Sequence, residues 1–120
     1  MDNYQQDGNI INYTNAGSAI LAGSVVKMQN RLGIAVTDIA NGATGAVRVR
    51  GVVSGVPKVS AAVFVQGEKL LWDVSSGAFD DSAATPAAGD VMGAAVAWAA
   101  GGNGETTCTI DLTPGNTTVT

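Results

Sequence analysis

Val91-Met92-Gly93-Ala94-Ala95-Val96-Ala97-Trp98-Ala99-Ala100 has two readings, and the fold class follows from the choice between them. Its alanines favour a helix, because alanine is the best helix former. Against this, glycines stand on both sides of the run and no charged residue marks a solvent-facing helix surface. We read a strand, with Met92, Ala94, Val96 and Trp98 on one face and Ala95, Ala97 and Ala99 on the other. On this reading Trp98, like Trp72, alternates with core-like residues. The run spans ten positions, about half of what a bilayer-crossing helix needs.

The flanking sequence repeats the pattern: period-two apolar runs punctuated by glycine. Glu105 to Leu112 alternates Thr106, Cys108, Ile110 and Leu112 with Thr107, Thr109 and Asp111. Lys69 to Val74 places Leu70, Trp72 and Val74 on one side, with Trp72 expected in the core. Between these runs, Ala78 to Gly89 is polar and small and reads as an exposed loop. Ser60 to Val65 reads as irregular chain or a single turn. Ala46 to Val53 reads as one strand, Val47, Val49 and Gly51 opposing Arg48 and Arg50. Pro57 argues against a central ladder position just after it. Upstream, Leu32 to Asp38 and Ser24 to Gln29 form a pair joined at Asn30-Arg31, since Asn tolerates positive φ. Asn9 to Thr14 is the first strand, and Asn41-Gly42 is a strong turn signal. The whole predicts an all-β, single-domain β-barrel or β-sandwich of seven or eight short strands. Its expected divisions are a flexible N-terminal arm (1–8), a β domain (9–112) and a C-terminal tail (113–120) that frays.

Composition removes most chemistries. The chain has 120 residues, no histidine, one cysteine and a net charge of −4. Without histidine there is no Ser-His-Asp or Cys-His pair and no common zinc ligand. A lone cysteine cannot close an intramolecular disulfide, and Cys108 reads as a small buried hydrophobe. The acidic balance disfavours a phosphate-backbone binder, so nucleic acid is not an expected partner. No Gly-Lys pair exists, which excludes a P-loop. The polar start carries no basic segment before an apolar stretch, so no secretory leader is expected. The sequons Asn12-Tyr13-Thr14 and Asn116-Thr117-Thr118 read as chance.

Two carboxylate groupings invite a catalytic or metal reading. Asp80, Asp81 and Asp90 are oxygen ligands of the kind calcium takes, but their spacing matches no EF-hand loop. Glu68 and Asp73 flank a strand, yet nothing separates their acidities as acid–base work requires. We expect no catalysis, no metal and no cofactor. Arg48 and Arg50, sharing a strand face, read as a solvated or partner-facing pair.

Several blocks together resemble a known family. They are Asn3-Tyr4 before Gly8; Leu32-Gly33-Ile34-Ala35-Val36-Thr37-Asp38-Ile39-Ala40 with Gly42; Gly51-Val52 with Val56-Pro57-Lys58; Gln66-Gly67-Glu68-Lys69-Leu70-Leu71-Trp72-Asp73; and Ala88-Gly89 with Gly93-Ala94-Ala95-Val96-Ala97. In this order they resemble the phage capsid decoration, or cement, proteins, formerly a domain of unknown function often mislabelled as a RecA/RadA-like recombinase. The missing P-loop independently rejects that label. The resemblance covers about Asn3 to Leu112 and leaves Thr113 to Thr120 beyond the family's usual end.

It implies a non-enzymatic protein made in the host cytoplasm and placed on the outer surface of an icosahedral head. The expected partners are the major capsid protein and further copies of the chain, as a trimer or alternatively a dimer, with no membrane involved. Asn3, Tyr4, Gln5 and Gln6 are the expected capsid-binding residues. The competing reading is a receptor- or glycan-binding β-module on the virion surface.

Overall fold

The computed structural model describes residues 8–113, 115 and 117–120. It is all-β, with β1 (Ile10–Thr14), β2 (Val25–Met28), β3 (Arg31–Ala35), β4 (Thr44–Arg48), β5 (Gly51–Pro57), β6 (Lys69–Asp73), β7 (Ala78–Asp80), β8 (Val91–Ala97), β9 (Thr107–Leu112) and β10 (Thr118–Val119). They form a four-stranded sheet, ordered β1-β4-β3-β2, and a six-stranded sheet, ordered β5-β9-β8-β6-β7 with β10 against β8. One sheet curls into a half-barrel. No helix among the described residues is long and apolar enough to cross a membrane.

The alanine-rich run is a strand, as its flanking glycines predicted: β8 pairs antiparallel with both β6 and β9. Its small side chains suit this central position, since Ala94, Ala95 and Ala97 are all buried under the neighbouring layer. Gly93, at φ +85°, lies where the β6–β8 register shifts. A glycine bulge of this kind lets one strand carry extra residues without a Cβ penalty. Trp98 departs from expectation: β8 ends at Ala97 and Trp98 is 53% exposed. The core side of β8 is the face of Ala95 and Ala97, and Trp98 follows the partly exposed Val96 in phase.

Ten strands replace the expected seven or eight, for three reasons. Ala46 to Val53 is not one strand. The chain turns a corner at Val49-Arg50, so β4 pairs with β1 and β3 while β5 joins β9 in the other sheet. Ala78 to Asp80, expected in an exposed loop, is β7, with Phe79 fully buried and edge-on to Trp72 at 4.9 Å. The tail, expected to fray, instead forms β10. It resumes beside β8 the ladder that β9 leaves, closed by Gly89 N–H donating to Thr120 O (2.7 Å) and Thr120 N–H to Asp90 O (3.0 Å).

The first hairpin also shifts. Met28 pairs with Arg31, so Gln29-Asn30 is the turn and Gln29 takes φ +58°. Register here is governed by side chains: a slip of one residue would turn Leu32 and Ile34 out of the core. Residues 60–65 are irregular as predicted, and Pro57 ends an edge strand.

Two apolar clusters hold the sheets. The larger lies between them and includes Leu32, Ile34, Leu70, Trp72, Phe79, Val91 and Ile110. The smaller covers the far face of the four-stranded sheet, where Val26, Ala35, Val47 and Val49 meet Ile39. At about 1.5–3 kcal/mol per fully buried large side chain, these clusters are the main favourable term.

Candidate functional site

Asn3, Tyr4, Gln5 and Gln6 lie outside the described residues. Arg48 and Arg50 are both exposed and Val47 and Val49 are buried, although only Val47 and Arg48 belong to β4 and Arg50 stands at the corner after it. Arg50 Nε donates to the Gly8 carbonyl at 3.3 Å, which anchors the start of β1 beside the sheet corner. Arg48 is in register with Ile34 on β3 and with Ile10 on β1, so these three side chains share one sheet face. That face is the one turned toward the six-stranded sheet. It is buried at Ile34 but open at Arg48 and Ile10. Val36 (47% exposed) and Val52 (45%) border the same opening, and a surface groove runs along Ile34, Val36, Arg48, Val52 and Ser54.

Glu68 and Asp73, the carboxylates that flank a strand, are loop clips. Glu68 accepts hydrogen bonds from the Val65 N–H (3.2 Å), the Ser82 N–H (2.9 Å) and the Ser82 hydroxyl (2.9 Å). The Ser82 backbone bond is the main cause of its lowered pKa. Asp73 caps its turn through the N–H and hydroxyl groups of Ser75 and Ser76. It too is lowered, chiefly by the Ser75 hydroxyl. Both groups move in the same direction, so neither is set up as an acid opposite a base.

The three aspartates do not converge. Asp80 accepts from Asp81 N–H (2.8 Å) and Asp81 from Ala83 N–H (3.0 Å). Asp90 is buried and accepts from Val74 N–H (3.1 Å) and Ala87 N–H (2.9 Å). Among the described residues no group of three or more metal-ligating side chains comes together.

Cys108 is buried, as expected from its apolar face, and burial pushes its thiol up to about 11. The thiolate, the reactive form, is therefore disfavoured.

Two buried polar residues were missed by sequence reasoning. Lys58 is 4% exposed, and its Nζ donates to the carbonyls of Val59 (2.8 Å), Ser60 (3.3 Å) and Glu105 (3.3 Å), 5.7 Å from the centre of the Phe64 ring. Its three ammonium protons thus meet three acceptors. Asn15 is 2% exposed and ties the Ser18 and Ile39 carbonyls to its own turn. The only sequence signal was the Pro57-Lys58 step, and lysine is exposed by default. These side chains tie loops together.

A second apolar surface lies at the far end of β8. Val63 (58% exposed) and Val65 (65%) flank the buried Phe64 on a segment that hydrogen-bonds to residues 97–101 beside Trp98.

The described surface thus combines exposed apolar side chains with two exposed arginines, while Glu68 and Asp73 are committed to loop structure. Searches of curated proteins and of solved structures returned no match. Residues 5–112 match a family described as phage cement protein. The match spans nearly the same stretch as the sequence blocks and ends where β9 ends. Over that stretch the chain belongs to the phage cement protein family, and with it to the capsid-associated structural proteins of bacteriophages.

Proposed function

We propose that this chain binds the outer surface of an icosahedral phage head, contacts the major capsid protein and stabilises the shell across adjacent capsomers. The family match over residues 5–112 carries this reading. A symmetric homotrimer at local three-fold positions suits the role, with a dimer at two-fold positions as the alternative. Each contact can be weak, because a multivalent clamp gains avidity without new contacts per subunit. Asn3, Tyr4, Gln5 and Gln6 form the arm we assign to capsid contact, with Arg48 and Arg50 as further partner-facing groups. Synthesis in the host cytoplasm and assembly onto the virion complete the proposal.

Purified heads imaged by cryo-electron microscopy with and without the protein test it. Extra density on the outer surface at symmetry axes is the expected result, and a protein absent from the virion overturns the reading. Deleting residues 2–7 should abolish co-sedimentation with undecorated heads while leaving the far-ultraviolet spectrum unchanged; undiminished binding removes the arm from the mechanism.

One observation favours a second reading, a receptor- or glycan-binding module on the virion. Trp98 is exposed beside Val63 and Val65, and aromatic faces are common sugar platforms. Glycan-array binding that is lost in Trp98→Ala would establish it.

A further inference from the structure

The face of the four-stranded sheet that meets the main core is only half covered. On β3, Leu32 (2% exposed) and Ile34 (7%) are buried beneath the six-stranded sheet. One strand further out on the same face, Thr44 and Arg48 are exposed and Ala46 is half-buried, and on β1 Ile10, Asn12 and Thr14 are exposed. The uncovered part is a shelf. Its inner wall is the groove at the seam between the sheets, lined by Arg48 and by Val36 and Val52, which stand nearly half exposed.

Among the described residues, the one charged side chain in the lining of this groove is Arg48. Arg50 stands at the corner beside it; among the described residues no carboxylate lines the groove, and Asp111, the register partner of Val52 on β9, is not part of the lining. In a chain of net charge −4 this makes a locally positive site with apolar flanks. A second copy presenting the same shelf across a two-fold axis would set arginines against arginines, which is unfavourable. The complementary occupant is a polypeptide carrying a carboxylate between small apolar side chains. A guanidinium recognises a carboxylate through two parallel hydrogen bonds, and the valines remove the flanking side chains from water.

We propose that this shelf is a docking site for an acidic, apolar-flanked segment of the capsid protein, with Arg48 pairing its carboxylate and Val36 and Val52 packing its neighbours. The proposal rests on the cement reading above and assigns it a second contact, distinct from the N-terminal arm.

The test uses the full chain and undecorated heads of the phage that carries it. Arg48→Glu and Val52→Asp alter exposed side chains, so both variants should keep the native circular dichroism spectrum and thermal transition. Each is expected to lower the affinity for heads by at least about tenfold, the scale for disrupting a desolvated charge pair. Val65→Asp, on the separate Trp98 surface, should bind like the unaltered chain. If the unaltered chain binds and both shelf variants bind equally well, the shelf proposal is overturned while the cement reading stands. If the unaltered chain does not bind heads, the cement reading itself fails. If the shelf variants instead change the sedimentation coefficient of the free protein, the occupant is a second copy and the capsid assignment is overturned. If deleting residues 2–7 makes the Arg48→Glu effect disappear on heads that still bind, the occupant is the chain's own arm, which also overturns it.

Discussion

Ile34 and Arg48 are direct register partners across β3 and β4 with side chains on the same sheet face, yet Ile34 is 7% exposed while Arg48 is open to solvent. The boundary of the main core runs between them. Inward of it, Leu32 and Ile34 belong to the packing of the two sheets; outward of it, Arg48 and Thr44 are exposed.

Gly33 lies just on the inner side of that boundary, on the opposite face. A Cβ there would collide with the Val47 side chain and come within 2.9 Å of the Arg48 carbonyl. Gly33→Ala is therefore expected to destabilise the fold by about 1–3 kcal/mol through overpacking. Gly17→Ala, whose Cβ would meet only Asn15 Oδ1 at 3.8 Å, should be nearly neutral. Urea denaturation gives both numbers as midpoint shifts at constant slope.

Lys58→Met keeps the apolar stem and removes the ammonium. The carbonyls of Val59, Ser60 and Glu105 then lose their donor. With unsatisfied buried acceptors costing about 1–3 kcal/mol each and partial rehydration at the loop, a loss of about 2–4 kcal/mol is expected. Limited proteolysis should show new cleavage in the loop at 101–106, which Lys58 holds against the 58–60 turn.

Glu68 gives a pH-dependent test. Its folded pKa lies below the ordinary value of 4.5, so the folded state favours the carboxylate. The resulting stability is present above about pH 4.5 and is lost as pH falls through the lower folded value. Glu68→Gln should melt slightly below the unaltered chain at pH 7, and the gap should close in acid. The effect is small, because the group is near the surface and screened by solvent. A gap that persists at pH 2–3 would show that the carboxylate charge is not its origin.

Cys108 should resist thiol reagents in the native state. With its thiol near 11, the thiolate fraction at pH 8 is about one in a thousand, and burial adds a steric barrier. Labelling by Ellman's reagent is expected to be at least about a hundredfold slower in buffer than in denaturing urea. Because the folded pKa lies above the ordinary 9.0, the neutral thiol contributes stability that is fully present below pH 9 and lost as pH rises toward 11.

Much of the fold was legible in local pattern. The period-two runs at residues 69–74, 91–100 and 105–112 became β6, β8 and β9. Trp72, Ile110 and Cys108 fell on the core side as their alternation required. Where the reading failed, a long-range partner had overruled a local signal. Ala78-Phe79-Asp80 is too short to show a period, and only the edge of β6 and the Trp72 ring make it a strand. Residues 113–120 look like a polar tail, but the open edge of β8 beyond Leu112 offers them a ladder. Trp98 alternates with alanines, but the strand ends one residue before it.

The binding surface shows the same division. Alternation determined that Arg48 lies opposite Val47 within β4, because successive side chains on a strand must point to opposite faces, whereas the burial of Val49 and the exposure of Arg50 are set at the corner that follows the strand. Within these 120 residues, composition alone excluded histidine chemistry and an intramolecular disulfide, and the absence of a Gly-Lys pair excluded a P-loop. That Arg48 borders a half-covered sheet face, that Lys58 is buried and that Trp98 is not, were decided only by the tertiary structure. Burial depends on where the other sheet ends, and that is a property of strands brought together from distant parts of the chain.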